Sequence, residues 1–438
     1  MTKPMRWITT LLLLGVVALA VFVAAVLYDL NRSIAPIDQA DADPSAEALE
    51  EKIARGEYIA HVSDCVACHT VPGEAPFAGG YGLETPFGEL FASNITPDDE
   101  TGIGGWELAD FDRALRHGQG SNGYLYPAMP YTAYARLSDQ DVSDLWAYMQ
   151  TIEPVEHEVN ENQFPFPYNQ RWLLAGWNLL FFHEEATANE LAQSQDPVER
   201  GRYLVEGAGH CSACHSPKNA LGANSGEPLS GATLQGWHAP DLTPNAHTGL
   251  GKWSSEQVVD YLKSGTNEFA VAAGPMREAV ENSTQYMTDE DLSAIAAYLQ
   301  SVPESSHTAP QPLDAGEAAM RQGASIYATQ CSACHVSHGE GVRQMIPSLV
   351  GNSQVNAPDP ASLLQVVLKG AEGPDTYANP TGAGMPAFDW KLSDEEVANV
   401  LTYVRNSWGN AAEPVTAAEV ATERDARGAR SALKASRE

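Results

Sequence analysis

The cysteines of this 438-residue chain fall into one repeated pattern, Cys-x-x-Cys-His, which occurs three times and uses all six of them. This spacing is typical of c-type haem attachment, because two thiols a helical turn apart can each bond one haem vinyl group while the adjacent histidine binds the iron. The residues concerned are Cys65, Cys68 and His69; Cys211, Cys214 and His215; and Cys331, Cys334 and His335. The sequence therefore predicts three covalently bound haem c groups.

Other uses of a Cys-x-x-Cys pair fit the sequence less well. A pair could form half of a zinc site or a thioredoxin-like redox centre, but each pair here is followed at once by histidine. No further thiolate remains to complete a tetrahedral zinc site. A disulfide framework is excluded as well, since the haem motifs use every thiol.

Three methionines are candidates for the sixth iron ligand, because each stands beside a proline and precedes a predicted closing helix. They are Met129, Met276 and Met385. A thioether ligand favours ferrous iron and raises the reduction potential. Methionine also fills gaps in cores, so each candidate has a rival nearby: Met149, Met287 and Met345. Three irons with two axial ligands each would leave no position for a substrate, so we predict no catalytic residue and a role in electron transfer.

A second repeat accompanies the haem motifs. Three predicted helices open with Ser138, Thr288 or Ser393 and carry an acid three residues later, which is the capping-box pattern. Each of these helices has a tyrosine ten residues after its first residue: Tyr148, Tyr298 and Tyr403. Upstream of each haem motif, a glycine lies in a predicted opening helix, where a small residue permits a close crossing of two helices: Gly56, Gly201 and Gly323. The pattern indicates three homologous helical units.

The N-terminus carries a predicted membrane anchor. Lys3 and Arg6 precede an uncharged apolar run over residues 7–28, and this length matches the roughly 20 residues that span a bilayer. The basic end is expected to stay in the cytoplasm, which places the haem domains on the periplasmic side of a bacterial inner membrane. The alternative is a cleavable signal peptide, with an A-x-A-like site at residues 18–20. The run exceeds the usual apolar region of about 7 to 15 residues in a signal peptide, and we therefore predict a retained single-pass anchor.

The chain is strongly acidic, with 57 Asp and Glu against 25 Lys and Arg and a formal charge of -32. Such a surface repels nucleic acid and anionic lipid head groups, while it attracts basic partners. Nucleic-acid binding is therefore excluded as a function.

Five segments carry a resemblance to a known family. They are AHVSDCVACHTVPGEAPFAGG (60–80), NITPDDETGIGGW (94–106), YPAMPY (126–131), FPYNQRWLLAGWNLLFF (166–182) and NSTQYMTDEDL (282–292). On these segments the chain resembles the tri-haem cytochrome c subunits of membrane-bound periplasmic dehydrogenases that oxidise alcohols, aldehydes or sugar acids. It departs from the family at its ends, since several members have a cleaved signal peptide and a C-terminal membrane-associated segment. Here the N-terminal run reads as retained, and the C-terminal tail is polar.

The resemblance implies a mainly α fold with three tandem cytochrome c-like haem domains after an N-terminal transmembrane helix. The expected divisions are an anchor (1–30), domain 1 (46–153), a linker with an apolar contact segment (154–195), domain 2 (196–303), domain 3 (316–408) and a polar tail (409–438), loosely helical or disordered. The apolar segment at 164–182 is open to two interpretations, packing between domains or contact with a catalytic subunit or the membrane.

The resemblance also implies a function. The chain would accept electrons from a catalytic dehydrogenase subunit of flavin, pyrroloquinoline quinone or molybdenum type and pass them to ubiquinone or a downstream cytochrome or oxidase. Among these partners the retained anchor favours an aldehyde-oxidising molybdenum subunit. Two alternatives are a stand-alone multihaem peroxidase and the cytochrome c subunit of a terminal oxidase. Three methionine ligands argue against the first, and the family resemblance argues against the second.

Overall fold

The computed structural model describes residues 3–30, 37, 45–183 and 188–435. Helices make up most of the regular secondary structure in this part of the chain, and the strands form short two-stranded hairpins, as the sequence predicts for a mainly α protein. The chain forms two compact units, one from residues 1–57 and 68–189 and the other from residues 58–67 and 190–438. The second unit contains the predicted domains 2 and 3 together with ten residues of the predicted domain 1.

The first half of the chain has eight α-helices and four short strands among the described residues. The helices are α1 (Lys3–Leu30), α2 (Ala46–Val62), α3 (Cys65–His69), α4 (Leu108–His117), α5 (Tyr131–Tyr134), α6 (Asp139–Met149), α7 (Leu174–Phe181), which follows a 3-10 turn at Arg171–Leu173, and α8 (Ala188–Ala192). The strands form two antiparallel hairpins, β1 (Gly82–Thr85) with β2 (Gly88–Phe91) and β3 (Gln119–Gly120) with β4 (Gly123–Tyr124).

The second half contains two further stretches that each begin with a helix before a haem motif and include a later closing helix. Its first part has α9 (Pro197–Tyr203), α10 (Ser212–His215), the hairpin of β5 (Ala232–Leu234) and β6 (Trp237–Ala239), α11 (Ser255–Ser264), α12 (Pro275–Asn282) and α13 (Asp289–Ser301). Its second part has α14 (Ala318–Ile326), α15 (Ser332–His335), α16 (Ser353–Asn356), α17 (Ala361–Lys369), the hairpin of β7 (Ala371–Glu372) and β8 (Gly384–Met385), α18 (Asp394–Arg405) and α19 (Ala417–Ala435). Single π-helical turns at Leu204–Ala208 and Tyr327–Cys331 join α9 and α14 to the haem motifs, and a 3-10 turn at Thr284–Tyr286 precedes α13.

Each opening helix crosses its closing helix at a glycine. An added Cβ on Gly56 in α2 would overlap the carbonyl oxygen of Asp144 in α6. The same overlap would occur between Gly201 and Ala294, and between Gly323 and Asn399. The neighbouring contact is in every case the Cβ of a closing-helix tyrosine: Tyr148, Tyr298 and Tyr403. The predicted close crossings are therefore confirmed, and the missing side chain is what permits them.

The predicted helix caps are also present. The hydroxyl oxygens of Ser138, Thr288 and Ser393 accept hydrogen bonds from the main-chain N–H groups three residues later, at 3.1, 3.2 and 3.3 Å. Such a bond satisfies one of the free donors at a helix start. In α18 the carboxylate of Glu396 also accepts from the main-chain N–H of Ser393 at 2.9 Å, which completes the capping box.

In α13 the corresponding acid, Asp291, has a different role. It accepts hydrogen bonds from Arg200 in α9 at 2.8 Å and from the hydroxyl of Tyr58 in α2 at 2.6 Å. Burial acts to raise the pKa of Asp291, but the bonds from Arg200 and Tyr58 outweigh burial and lower this pKa. Burial raises the pKa of Tyr58 to about 12, so its hydroxyl remains a donor. One carboxylate thus joins Tyr58 to α9 within the second unit.

The C-terminal stretch from residue 411 belongs to the core, contrary to the expectation of a loose tail. Val420 in α19 is fully buried among apolar residues of α17 and α18. Arg405, also fully buried, donates to the main-chain carbonyls of Val355, Ala357 and Glu413 at 3.2, 2.9 and 3.1 Å. A buried cation is costly unless it is hydrogen-bonded, and these carbonyls give each of the three guanidinium nitrogens a partner. The tail is polar in composition, but Ala411, Ala412, Val415 and Val420 are buried.

Helix α1 is, among the described residues, long and apolar enough to cross a membrane over Thr10–Tyr28. Its large side chains are exposed, including Trp7 and Tyr28 at the two ends of the run. A signal sequence near the N-terminus has the same length and composition, so the helix fits the predicted anchor and its alternative.

Substitution of Gly201 by alanine tests the crossing. We expect Gly201→Ala to lower the free energy of unfolding by about 1 to 3 kcal/mol, because the new methyl group overlaps backbone that cannot rotate away. Gly105→Ala is the matched control, since its added Cβ would meet the nearest atom at 3.7 Å, an ordinary contact. Denaturant unfolding of the haem-loaded variants measures both. Equal denaturant midpoints for the two variants would show that the crossing can accommodate a methyl group.

Candidate haem sites

The three Cys-x-x-Cys-His motifs lie on short helices, α3, α10 and α15, each of which ends at the motif histidine. In every case Nδ1 of that histidine lies within hydrogen-bond distance of a main-chain carbonyl oxygen. The pairs are His69 with Ser93 at 2.7 Å, His215 with Pro240 at 2.7 Å and His335 with Pro347 at 3.4 Å. A carbonyl can only accept, so Nδ1 carries the proton. Nε2 then keeps its lone pair for a metal, which is the usual arrangement around a ligating histidine.

A glycine also bonds to the main chain of each motif histidine. The main-chain N–H groups of Gly79, Gly231 and Gly341 donate to the carbonyl oxygens of the three histidines at 2.8, 2.8 and 3.2 Å. All three glycines have positive φ values, of 75°, 92° and 66°. A Cβ at any of these positions would press on neighbouring backbone, so the turn requires glycine.

Burial sets the protonation of the motif residues. It lowers the pKa of His69, His215 and His335, so the imidazoles are neutral and able to bind a metal at neutral pH. Burial also raises the pKa of Cys211 to about 12 and that of Cys331 to about 11. A redox-active Cys-x-x-Cys pair needs a lowered thiol pKa. Cys211 and Cys331 therefore lack the lowered thiol pKa that a thioredoxin-like centre needs.

The zinc interpretation also lacks support in the part of the chain that the structure describes. No group of three or more His, Cys, Asp or Glu side chains is arranged there to hold a metal ion. The donor set at each motif is two thiols and one neutral imidazole. These residues fit a covalently attached haem with histidine as one axial ligand.

The three candidate methionine ligands occupy corresponding places in the chain. Met129 lies in the turn between β4 and α5, Met276 is the second residue of α12, and Met385 ends β8. All three side chains are half-buried, and each methionine precedes the closing helix of its repeat. The glycine before Pro275 holds its segment against Trp237, since a Cβ on Gly274 would lie 2.6 Å from that ring.

The rival methionines lie in different surroundings. Met149 and Met287 are 1% and 2% exposed and belong to the core. Met345 is 56% exposed. Core packing thus accounts for two of the rivals, whereas the half-buried methionines do not belong to the core.

Two contacts between haem-motif regions are not visible in the sequence, and both lie in the second unit. Ser63, two residues before Cys65, offers its carbonyl oxygen to Nε2 of His210 at 3.3 Å. Arg277, beside Met276, forms an ion pair of 2.7 Å with Glu372, which faces Gly384 in the hairpin that carries Met385. The partners in each contact are far apart in sequence, so no local signal could have revealed them.

Comparison with known proteins finds one family on three stretches of the chain. The family described as Cytochrome c matches residues 53–153, 198–303 and 320–408. These stretches cover more than half of the chain, and each contains one Cys-x-x-Cys-His motif and one candidate methionine.

Individual relatives align over most of both chains. The gluconate 2-dehydrogenase cytochrome c subunit of Pantoea cypripedii is 40% identical, over 86% of this chain and 90% of its own length. The cytochrome c subunit of an alcohol dehydrogenase (quinone) from Gluconobacter oxydans is 39% identical, over 83% and 80%. The fructose dehydrogenase cytochrome subunit of Gluconobacter japonicus is 38% identical, over 85% and 82%.

Haem content follows directly from this geometry. We expect the purified chain to carry three haems that resist acid-acetone extraction, because thioether bonds hold them. The pair of substitutions Cys211→Ala and Cys214→Ala should lower the pyridine haemochrome value by one haem per chain and leave the other two in place. A wild-type value of one or two haems, from cells with full maturation machinery, would contradict the assignment.

Proposed function

The chain belongs to the cytochrome c family, and from this we propose that it is the three-haem electron-transfer subunit of a membrane-bound dehydrogenase complex. The observation that carries the proposal is the threefold occurrence of one site, with neutral histidine, Nδ1 bonded to a carbonyl and a glycine turn behind it. Relatives named as dehydrogenase cytochrome subunits align over four fifths or more of both chains. A haem iron, when bound, supplies a one-electron couple.

The proposed attachment residues are the six cysteines. The proposed axial pairs are His69 with Met129, His215 with Met276, and His335 with Met385. The carbonyl partners orient each imidazole and raise its basicity. The methionines favour the reduced state and raise the potential. If both axial positions were filled by the chain, no coordination position on iron would be left for a substrate. This disfavours the alternative of a stand-alone peroxidase.

The order of the sites along the electron path is also proposed. The contact of Ser63 with His210 brings the attachment segments of the first and second motifs together. The ion pair of Arg277 with Glu372 links the methionine segments of the second and third. These contacts support transfer along the chain in the order of the motifs.

The domain arrangement we propose has three tandem haem domains at 46–153, 196–303 and 316–408. The three family matches support these bounds. The third domain extends in the structure beyond 408, because α19 completes its core. An N-terminal anchor at residues 1–30 would hold all three domains at the periplasmic face of the inner membrane.

The partners are a catalytic dehydrogenase subunit on the donor side and ubiquinone or a downstream cytochrome or oxidase on the acceptor side. The named relatives serve gluconate, alcohol and fructose dehydrogenases. Their names support a donor that oxidises an alcohol, sugar or sugar acid rather than the aldehyde-oxidising molybdenum partner that the anchor alone favours. The catalytic subunit, and not this chain, would bind that substrate.

The proposed methionine ligands can be tested one at a time. Met276→His should lower one haem potential by roughly 0.1 V or more, within the ~0.8 V that axial ligands span, because imidazole favours ferrous iron less than a thioether does. The absorption band of methionine bound to ferric haem should weaken by a third. Met287→Leu is the matched control and should leave potentials and band unchanged, since Met287 is a core residue. A reversed result would make Met287 the ligand.

The proposed function predicts the behaviour of the complex. Supplied with its catalytic subunit and substrate, the chain should reduce a ubiquinone analogue, whereas the isolated chain should have neither dehydrogenase nor peroxidase activity. The pair Cys211→Ala and Cys214→Ala should abolish quinone reduction, while the catalytic subunit still reduces an artificial dye. Rapid stoichiometric carbon monoxide binding to one reduced haem, together with peroxide turnover, would instead identify an enzyme.

A further inference from the structure

An apolar surface lies on the first unit, outside the haem motifs. It is formed by α7 and the segment before it, and we refer to it as the α7 surface. Its large exposed side chains are Phe166, Tyr168, Trp172, Leu173, Leu179 and Leu180. Phe166, Leu179 and Leu180 are 80%, 68% and 64% exposed. An apolar patch of this kind on a folded domain usually marks a contact.

The inner side of the same segment is firmly held. Tyr131, which is fully buried, packs its ring edge-on against Trp177 at 6.3 Å and Phe182 at 5.6 Å. Its hydroxyl donates to Asn178 at 2.6 Å, so the polar side chain of α7 is satisfied inside the protein. Tyr126 packs against Phe164 at 4.7 Å in the same way. The exposed side chains therefore project from a fixed platform.

Charge is almost absent from the α7 surface. Residues 164–182 contain one charged residue, Arg171. Its guanidinium is turned inward, where it bonds to the carboxylate of Glu161 at 2.7 Å and to the carbonyl oxygen of Tyr124 at 3.0 Å, and its side chain is 17% exposed. An interface that recognised a charged partner would present such a group outward. The α7 surface is therefore suited to contact with an uncharged, apolar environment.

Helix α1 passes beside α7 in the same unit. A Cβ on Gly176 would lie 3.2 Å from the ring of Phe22, so the glycine marks the closest approach. Phe22 lies six residues before Tyr28, the end of the apolar run, which is about 9 Å along a helix that rises 1.5 Å per residue. Interfacial helices bury their apolar face about 5–10 Å into the boundary of head groups and acyl chains. The α7 surface thus lies at the depth that such a helix occupies.

We propose that the α7 surface is a second membrane contact, in which α7 lies in the periplasmic interface of the bilayer and its outer side chains meet lipid acyl chains beside the anchor. We assign lipid as the occupant because the α7 surface lies beside α1 and continues the apolar surface of that membrane span. Given a formal charge of -32, electrostatic attraction to anionic lipid is disfavoured, so a contact of this surface with the membrane would be apolar. The proposal rests on the membrane attachment proposed above.

Photo-crosslinking in native membranes tests this contact in the intact complex. A benzophenone amino acid replaces Leu180, and in separate chains Leu14 within α1 and Leu221, an exposed leucine of the second unit. After irradiation, mass spectrometry of each chain separates lipid adducts from crosslinks to protein. We expect lipid adducts at Leu180 and Leu14 to exceed those at Leu221 by roughly tenfold or more, because only these two side chains would face acyl chains.

The three positions separate the possible outcomes. Lipid adducts at Leu14 without any at Leu180 would overturn the second contact and leave the anchor in place. Adducts at Leu180 alone would support the α7 contact and identify α1 as a removed signal sequence. Crosslinks from Leu180 only to another polypeptide would make the α7 surface a protein interface. No lipid adduct at either position would overturn the contact and the proposed attachment together.

Discussion

The crossing of an opening and a closing helix at a glycine is the constraint on which each haem-binding region depends. At Gly56, Gly201 and Gly323 the two backbones approach so closely that no side chain fits between them. This approach fixes the direction in which the opening helix leads into the Cys-x-x-Cys-His motif. Helices pack at distances set by the side chains at their contact, so a larger residue would move the motif relative to the loops that hold its histidine.

The same constraint explains why the three regions differ elsewhere. Once the crossing is in place, the loop after the motif has to make only two bonds. One of its main-chain carbonyl oxygens accepts from Nδ1 of the histidine, and a glycine N–H donates to the main-chain carbonyl oxygen of the same histidine. Ser93 and Pro240 supply this carbonyl 24 and 25 residues after their histidines, whereas Pro347 supplies it after only 12. Loops tolerate such changes in length because they lie outside the packed elements.

Much of this architecture could be predicted from the sequence because it is local. The haem motifs, the caps at Ser138 and Ser393 and the crossing glycines are short patterns whose physical meaning does not depend on the rest of the chain. The carbonyl partners of the histidines could not be predicted, since the loops that bring them back vary in length. The packing of α19 on the core could not be predicted either. Val420 stands among alanines and charged residues without a clear apolar stripe, and its burial depends on α17 and α18. Long-range pairs such as Arg277 with Glu372 leave no periodic signal.

The bond from Tyr58 to Asp291 has a consequence for the order in which the chain can fold. Its partners are separated by 233 residues, so this bond can form only after α13 has been synthesised. Long-range contacts of this kind form late, because the loop between them has to close first. Chains are made and exported from the N-terminus, so α2 can pair with α6 at Gly56 before α13 exists, while the end of α2 beside Cys65 still lacks its partner. That end would stay open to the machinery that attaches the first haem, and it would close only after the second repeat has formed.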